Sequence, residues 1–438
     1  MTINYYYWPK ISPADKSRLL KRSQEAIESV LEAISPIIAD VKENGDEALF
    51  KYAKLFDGAE LSSLKVTSEE FREAEKLLSP DMKSALEHSI RNVKKFHEEQ
   101  MKRVDSDWMV EIEPGVFAGE KVTPISSVGL YVPRGKNAFP SALYMLAIPA
   151  VLAQVPEIVI VTPPTADGKC DPACLYAAQL SGVTNIYKVG GAQAIAALAY
   201  GTQTISKVAK VLGPGSSYVA AAKLLLSSVI DPGMPAGPSE AIVLCDEFAD
   251  PHNTVLDLLN EAEHGPDSAG LLVTHDEKLA HYVRDHLPAA IDALPEKQAA
   301  WLRDVFSTYG AIILTDSLEQ SIEVANLYAP EHLLLKVRNH ESILPQLKHA
   351  GEILIGENTV FSFGNYAIGI NHVLPTGGWA HSHSCTSVWD FLKRTSLSRV
   401  TSEGFVSLAE PVSVLTEYEG FPAHKNAITQ RKLHKSKL

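Results

Sequence analysis

Cysteine is scarce: four in 438 residues, at Cys170, Cys174, Cys245 and Cys385. So few, so widely spread, exclude a disulfide framework and suit a reducing compartment. Cys170 and Cys174 have the spacing of half a zinc site, but no second pair answers them, so they read as buried small side chains. Long apolar runs are missing as well. Residues 141–161 come nearest, and Pro149, Gln154, Pro156 and Glu157 break them into a buried helix and a strand, not a membrane span. The opening MTINYYYWPK lacks the basic and apolar blocks of a signal peptide, so a cytoplasmic protein is expected. Positive charge is in deficit: 40 Lys and Arg against 53 Asp and Glu leave a net −13. That surface repels phosphate backbones, which argues against a nucleic-acid partner. The one basic cluster, Arg431, Lys432, Lys435 and Lys437, reads as a solvated tail.

What remains is a globular chain, 45% hydrophobic and 21% charged, long enough for two to four domains. Up to about residue 105, apolar positions recur three and four apart (Leu19, Ala26, Ile27, Val30, Ile34), which predicts helices; Ser12-Pro13-Ala14-Asp15 offers a helix start. From about 128, short β-branched runs alternate with helical patterns. Strands are expected at 158–161, 186–189, 207–212, 241–244, 271–274, 311–314, 333–337 and 352–355. Strand, loop and helix in repetition imply right-handed crossovers and mostly parallel sheets. The expected fold is α/β, with two doubly wound Rossmann-like lobes. A helical arm spans 1–24, one lobe joins 25–130 to 239–380, a nucleotide-binding lobe covers 131–238, and 381–438 form a small appendage.

Several segments could carry chemistry. In Glu261-Ala262-Glu263-His264, Glu261 and His264 stand three apart at a helix end and share one face, as a divalent-metal pair does. The plainer reading is a charged surface with a histidine favoured by the helix dipole. Pro330-Glu331-His332 sets two titratable groups before an apolar run, at the end of a strand, where α/β sheets usually bind ligands; a solvated loop is the alternative. Gly364-Asn365-Tyr366, Asn371-His372 and the segment holding Glu419 and His424 are polar and glycine-punctuated, none strong alone. His381 and His383 could be ligands or an exposed loop. No G-x-G-x-x-G follows the first strand, yet Gly190-Gly191 and Gly213-Pro214-Gly215 each stand between strand and helix, where backbone N–H groups can meet phosphate.

In this order, the segments resemble the histidinol dehydrogenase family over about residues 25 to 430. The likeness is densest at Gly129-Leu130-Tyr131-Val132-Pro133, Val189-Gly190-Gly191-Ala192-Gln193, Pro238-Ser239-Glu240, Ala262-Glu263-His264, Pro330-Glu331-His332, Asn371-His372-Val373-Leu374-Pro375-Thr376 and Ala423-His424-Lys425-Asn426. The resemblance implies a zinc-containing, NAD-linked enzyme that oxidises a primary alcohol to the aldehyde and then the acid. It also implies an intertwined homodimer whose C-terminal segment reaches the neighbour's active site. On it, Glu331 activates water for the second oxidation and His332 takes the alcohol proton. Ser239, His372 and Glu419 would touch substrate, and Tyr131, Gln193 and Ser216 the dinucleotide.

The resemblance places zinc on Glu261, His264, Asn365 and His424, the last from the partner. Here the chain departs from the family, which has Gln and Asp where this sequence has Glu261 and Asn365. The exchange keeps one carboxylate and one amide, hence the ligand charge, so metal binding is expected to survive. Ser216 stands where the family has Asn, and Arg134 and Lys136 add positive charge near Tyr131. Histidinol is the expected substrate. The alternatives are another small polar alcohol such as sulfopropanediol, or a catalytically silent binding protein.

Overall fold

The computed structural model describes residues 2–22, 24–105, 107–134 and 138–431, with backbone alone over 24–29. Lys136, the side chains of Ala26 and Ile27, and Lys432, Lys435 and Lys437 of the tail lie outside the described residues. Two parallel sheets carry the molecule. The larger has six strands in the order Tyr5–Tyr7, Ala311–Leu314, Ala269–Thr274, Glu240–Cys245, His332–Lys336, Glu352–Ile355. The smaller has four, Ile186–Lys188, Glu157–Thr162, Ser127–Tyr131, Lys210–Leu212. In the smaller sheet from Ser127–Tyr131, and in the larger from Glu240–Cys245 once the edge strand Tyr5–Tyr7 is set aside, the chain starts at an inner strand, winds out one way and returns to wind the other. The strand order therefore reverses between Glu240–Cys245 and His332–Lys336, and between Ser127–Tyr131 and Lys210–Leu212.

Helices cover both faces of both sheets. On the six-stranded sheet, Ala241, Val243 and Leu334 point into one core with helices Pro251–Ala262, Glu277–Asp292 and Glu296–Ser307. Ile242, Leu244 and Leu333 point into the other with helix Leu318–Tyr328. Strands buried on both faces need no polar alternation, which is why these runs are uniformly apolar. Residues 141–161 form a buried helix, Pro140–Leu152, and a strand, Glu157–Thr162, as their interruptions predict. Ser12 caps its helix by accepting from the Asp15 N–H at 3.0 Å.

Three expectations are corrected. Residues 1–24 are not only helical: Tyr5–Tyr7 pairs in parallel with Ala311–Leu314 as an edge strand, too short for periodicity to register. The helices between 24 and 101 cover the four-stranded sheet, not the lobe built from 239–380. Ile34, Val41 and Leu49 pack with Val159 and Leu198, and Leu86, Ile90 and Val93 with Val128 and Leu130. An amphipathic stripe says that a helix covers something, not what. Residues 107–124 belong with the appendage: Trp108–Glu113 and Val116–Pro124 form a three-stranded antiparallel sheet with Leu392–Val400. Helices Ser402–Tyr418 and Pro422–Thr429 follow, with Val406, Val414, Leu415 and Tyr418 exposed. Among the described residues no helix is long and apolar enough to cross a membrane.

Candidate active site

A cleft of about 330 Å³ lies between the two sheets. From the four-stranded lobe it takes Pro133 and Arg134, after strand Ser127–Tyr131, and Pro214, Gly215 and Ser216, after Lys210–Leu212. These follow the carboxyl ends of their strands at the reversal of strand order, where such sheets bind ligands. The six-stranded lobe presents its opposite edge. Ser239 stands just before Glu240–Cys245, Asp267 and Ser268 before Ala269–Thr274, and Glu331 before His332–Lys336. The expectation that Glu331 and His332 sit where α/β sheets usually bind ligands is thus corrected: they start their strand.

The helix that follows Glu240–Cys245 explains the rest of this wall. Asp250 caps it by accepting from the Asn253 N–H at 2.8 Å, and Pro251–Ala262 runs back toward the strand starts. Its last turn delivers Glu261, and the residues just beyond it His264, to the cleft.

Glu261, His332 and Glu331 are 1%, 2% and 7% exposed. His332 Nε2 lies 3.6 Å from Glu261 Oε2 and 3.7 Å from Glu331 Oε2. Its Nδ1 is 2.5 Å from Glu352 Oε1. Burial pushes the Glu331 carboxyl up to about 8, against the pull of His332. Burial opposes the His332 imidazolium, but the carboxylates of Glu261, Glu331 and Glu352 outweigh it and raise the group to about 10. At Glu261 burial is likewise outweighed, by His332, His264 and the Asn365 amide, and its carboxyl is lowered. Burial and the neighbouring His332 bring His372 down to about 4, so it is a neutral imidazole.

Around Glu261, the His264 ring Nδ1 stands 3.5 Å from Oε2, and Asn365 Nδ2 donates to Oε1 at 2.6 Å. Among the described residues no group of three or more His, Cys, Asp or Glu is arranged to hold a metal ion. The donors gathered here are one carboxylate, one imidazole and one amide. Even so, this wall suits a cation. Glu240, Glu261, Glu331 and Glu352 are all buried, with Arg22 the guanidinium that answers Glu240. The negative end of helix Pro251–Ala262 adds to them. Buried carboxylates in excess are costly unless positive charge joins them.

Of the residues picked out from sequence, Glu261, His264, Asn365, Glu331, His332, Ser239, His372 and Ser216 line one cleft. Tyr131 and Gln193 are buried and do not line it; the Tyr131 hydroxyl accepts from the Gly191 N–H at 3.1 Å. Glu419 and His424 are exposed on the appendage, outside this cleft. His381 and His383 lie elsewhere too, the His383 ring edge-on to Trp379. Arg134 lines the cleft and donates to the Pro164 carbonyl at 3.1 Å. Cys170 and Cys174 are buried thiols.

The histidinol dehydrogenase family model matches residues 20–432. The chain is 49% identical over 423 residues to histidinol dehydrogenase of Synechocystis sp., covering 96% of this chain and 97% of that one. It is 46% identical to a histidinol dehydrogenase homolog of Colwellia psychrerythraea, over 96% and 94% of the two chains. The crystal structure of histidinol dehydrogenase from Elizabethkingia anophelis superposes with a TM-score of 0.88 at 35% identity, over 98% and 97%. The chain belongs to the histidinol dehydrogenase family. As a member it is an enzyme, an NAD-dependent dehydrogenase.

Within this family member, sequence reasoning passed over three buried residues that brace the cleft. The Glu240 N–H donates to Glu331 Oε2 at 3.0 Å, so strand Glu240–Cys245 orients the carboxylate. Glu240 is itself held by Arg22 Nη1 at 2.6 Å and by the Gly377 N–H at 3.0 Å. The Arg22 guanidinium lies over the Tyr328 ring, 3.7 Å from its centroid. The third is Glu352, beside His332. Glu240 was visible in Pro-Ser-Glu, but nothing in a single sequence pairs it with residue 22.

Proposed function

We propose that this chain is a zinc-dependent, NAD-linked dehydrogenase. It takes a small polar primary alcohol, L-histidinol, through the aldehyde to L-histidine in two hydride transfers. The observation that carries this reading is the buried triangle of His332, Glu331 and Glu261 on one wall of the cleft, with Pro214, Gly215 and Ser216 on the other. Zinc would be held by Glu261, His264, Asn365 and His424 of the partner subunit, and the excess of buried carboxylate supports a cation there. When bound, zinc would polarise the alcohol oxygen and offset the carboxylate charge that keeps a proton on His332, and NAD would accept hydride.

The chain's own residues do the rest. His332 takes the alcohol proton on Nε2. Glu331, fixed by the Glu240 N–H, orients a water toward the aldehyde and accepts its proton, a task suited to a carboxyl that burial has raised toward neutrality. Ser239 and His372 line the cleft where the substrate's polar groups would lie. The exposed apolar side chains of the appendage, with Glu419 and His424 carried away from their own cleft, support a homodimer in which each appendage completes the other site.

Arg134 on the cleft wall favours a second reading, a small alcohol bearing an anionic group such as sulfopropanediol. The test is purified protein with NAD and either alcohol, following NADH. Two NADH per histidinol, with little turnover of sulfopropanediol, is the expected result. Turnover of sulfopropanediol alone would transfer the proposal to the second substrate, and no turnover of either would end it.

A further inference from the structure

We propose that Glu352 is the positioning residue of His332, fixing which imidazole nitrogen faces the substrate. The inference rests on the reading of His332 as the base. His332 and Glu352 open neighbouring parallel strands, and the register sets them side by side. Their side chains meet at 2.5 Å, Nδ1 to Oε1. Glu352 is 8% exposed, and its second oxygen is buried with no hydrogen-bond partner among the described residues. A carboxylate kept in the interior with half its acceptors unused is a structural cost, and its one close partner among the described residues is the imidazole. Space for it is reserved: a Cβ on Gly364 would stand 3.2–3.3 Å from its two oxygens. The Phe361 ring, edge-on with its centroid 5.9 Å from that of His332, confines the imidazole from another side.

The consequence is directional. Glu352 is acceptor-only when ionised, so it keeps the proton on Nδ1 and leaves Nε2 turned to Glu261 and Glu331. When Nε2 takes a proton from the substrate, the carboxylate behind the ring stabilises the charge that forms. Glu352 does not line the cleft, so it acts only through His332.

The test is Glu352→Gln in the zinc-loaded enzyme, with His332→Gln as control. The expected result is a fall in kcat of about 10–100-fold, with KM for alcohol and for NAD within twofold and zinc content unchanged. In proton NMR of the parent enzyme, a downfield Nδ1–H resonance should be present, absent in His332→Gln and lost or shifted upfield in Glu352→Gln. A kcat within threefold of the parent, or a loss that appears as raised KM and lowered zinc content instead, overturns the proposal. Should Glu352→Gln not fold, the parent spectrum decides: a His332 protonated on Nε2 alone overturns it. Full activity in His332→Gln would remove the reading of the base itself, whereas a dead His332→Gln beside an active Glu352→Gln removes only the positioning role.

Discussion

The four-stranded and six-stranded sheets are wound alike, yet they meet the cleft with opposite ends. The smaller sheet offers the turns after its strands. There Gly215 lines the cleft just before helix Ser217–Leu225, and Gly190 and Gly191 open helix Gly191–Tyr200 at the same end of the sheet, neither helix having a side-chain cap among the described residues. Backbone N–H groups and the positive ends of helices collect on that side, a setting that favours anions. The larger sheet offers its strand starts, and with them the closing turn of helix Pro251–Ala262 and four buried carboxylates. That side favours cations and proton transfer. One winding rule thus yields two chemically opposed walls because the chain presents opposite edges of its sheets. In the dehydrogenase reading, the first wall suits a dinucleotide and the second a metal and the alcohol.

The sharpest way to break this division is His332→Ala. It should lower kcat for both oxidations by roughly 10²–10⁴-fold, while NAD affinity, read by fluorescence titration, stays within twofold. A matching loss of NAD affinity would mean that the walls are not separable. Next comes Glu331→Gln. It should slow aldehyde oxidation by about 10²-fold while leaving the first step much less affected, so that aldehyde accumulates in a trapping assay. Equal loss in both steps would refute the separate roles of the two neighbours. On the opposite wall, Gly213→Ala should act on the nucleotide side. Gly213 has φ +123°, and a Cβ there would run into the Tyr131 carbonyl oxygen. The variant should lose about 1–3 kcal/mol of stability and raise KM for NAD but not for the alcohol.

Much of this was legible in the sequence, for reasons that differ by element. The parallel strands showed because both faces are buried, giving runs such as Ala241-Ile242-Val243-Leu244 bounded by loops. Strand Trp108–Glu113 did not show: most of its residues are exposed and apolar and polar positions do not alternate cleanly. It pairs with the neighbouring strand Val116–Pro124, and the third strand, Leu392–Val400, joins Val116–Pro124 from far along the chain, so no local signal announces the sheet. In the cleft, Glu331, His332, Glu261 and His264 came from local motifs, whereas Arg22 and Glu352 did not. Both are ordinary charges in sequence; only tertiary pairing with Glu240 and with His332 makes them part of the site. That the six-stranded sheet uses its amino edge was also hidden, since a motif marks a strand's end without saying which ends gather.

The last test, read in stability alone, sharpens the nucleotide wall. Lys223 is buried in helix Ser217–Leu225, and its Nζ donates to the Gly213 carbonyl at 2.6 Å, bracing the turn from behind. Burial pulls this ammonium down to about 8 from its ordinary 10.5, with Asp231 offsetting only part. The unfolded chain therefore binds the proton more tightly than the folded one. Below about pH 8 the full penalty applies, and between 8 and 10.5 it fades, so this group makes stability rise with pH over that window. Lys223→Met removes both the penalty and the hydrogen bond. The difference in unfolding free energy between parent and variant should change by roughly 2–4 kcal/mol from pH 7 to 10.5, in the parent's favour. Urea unfolding of both proteins across that range measures it. A flat difference would show that the lysine is not held charged against its burial, and that the turn keeps its shape without this brace.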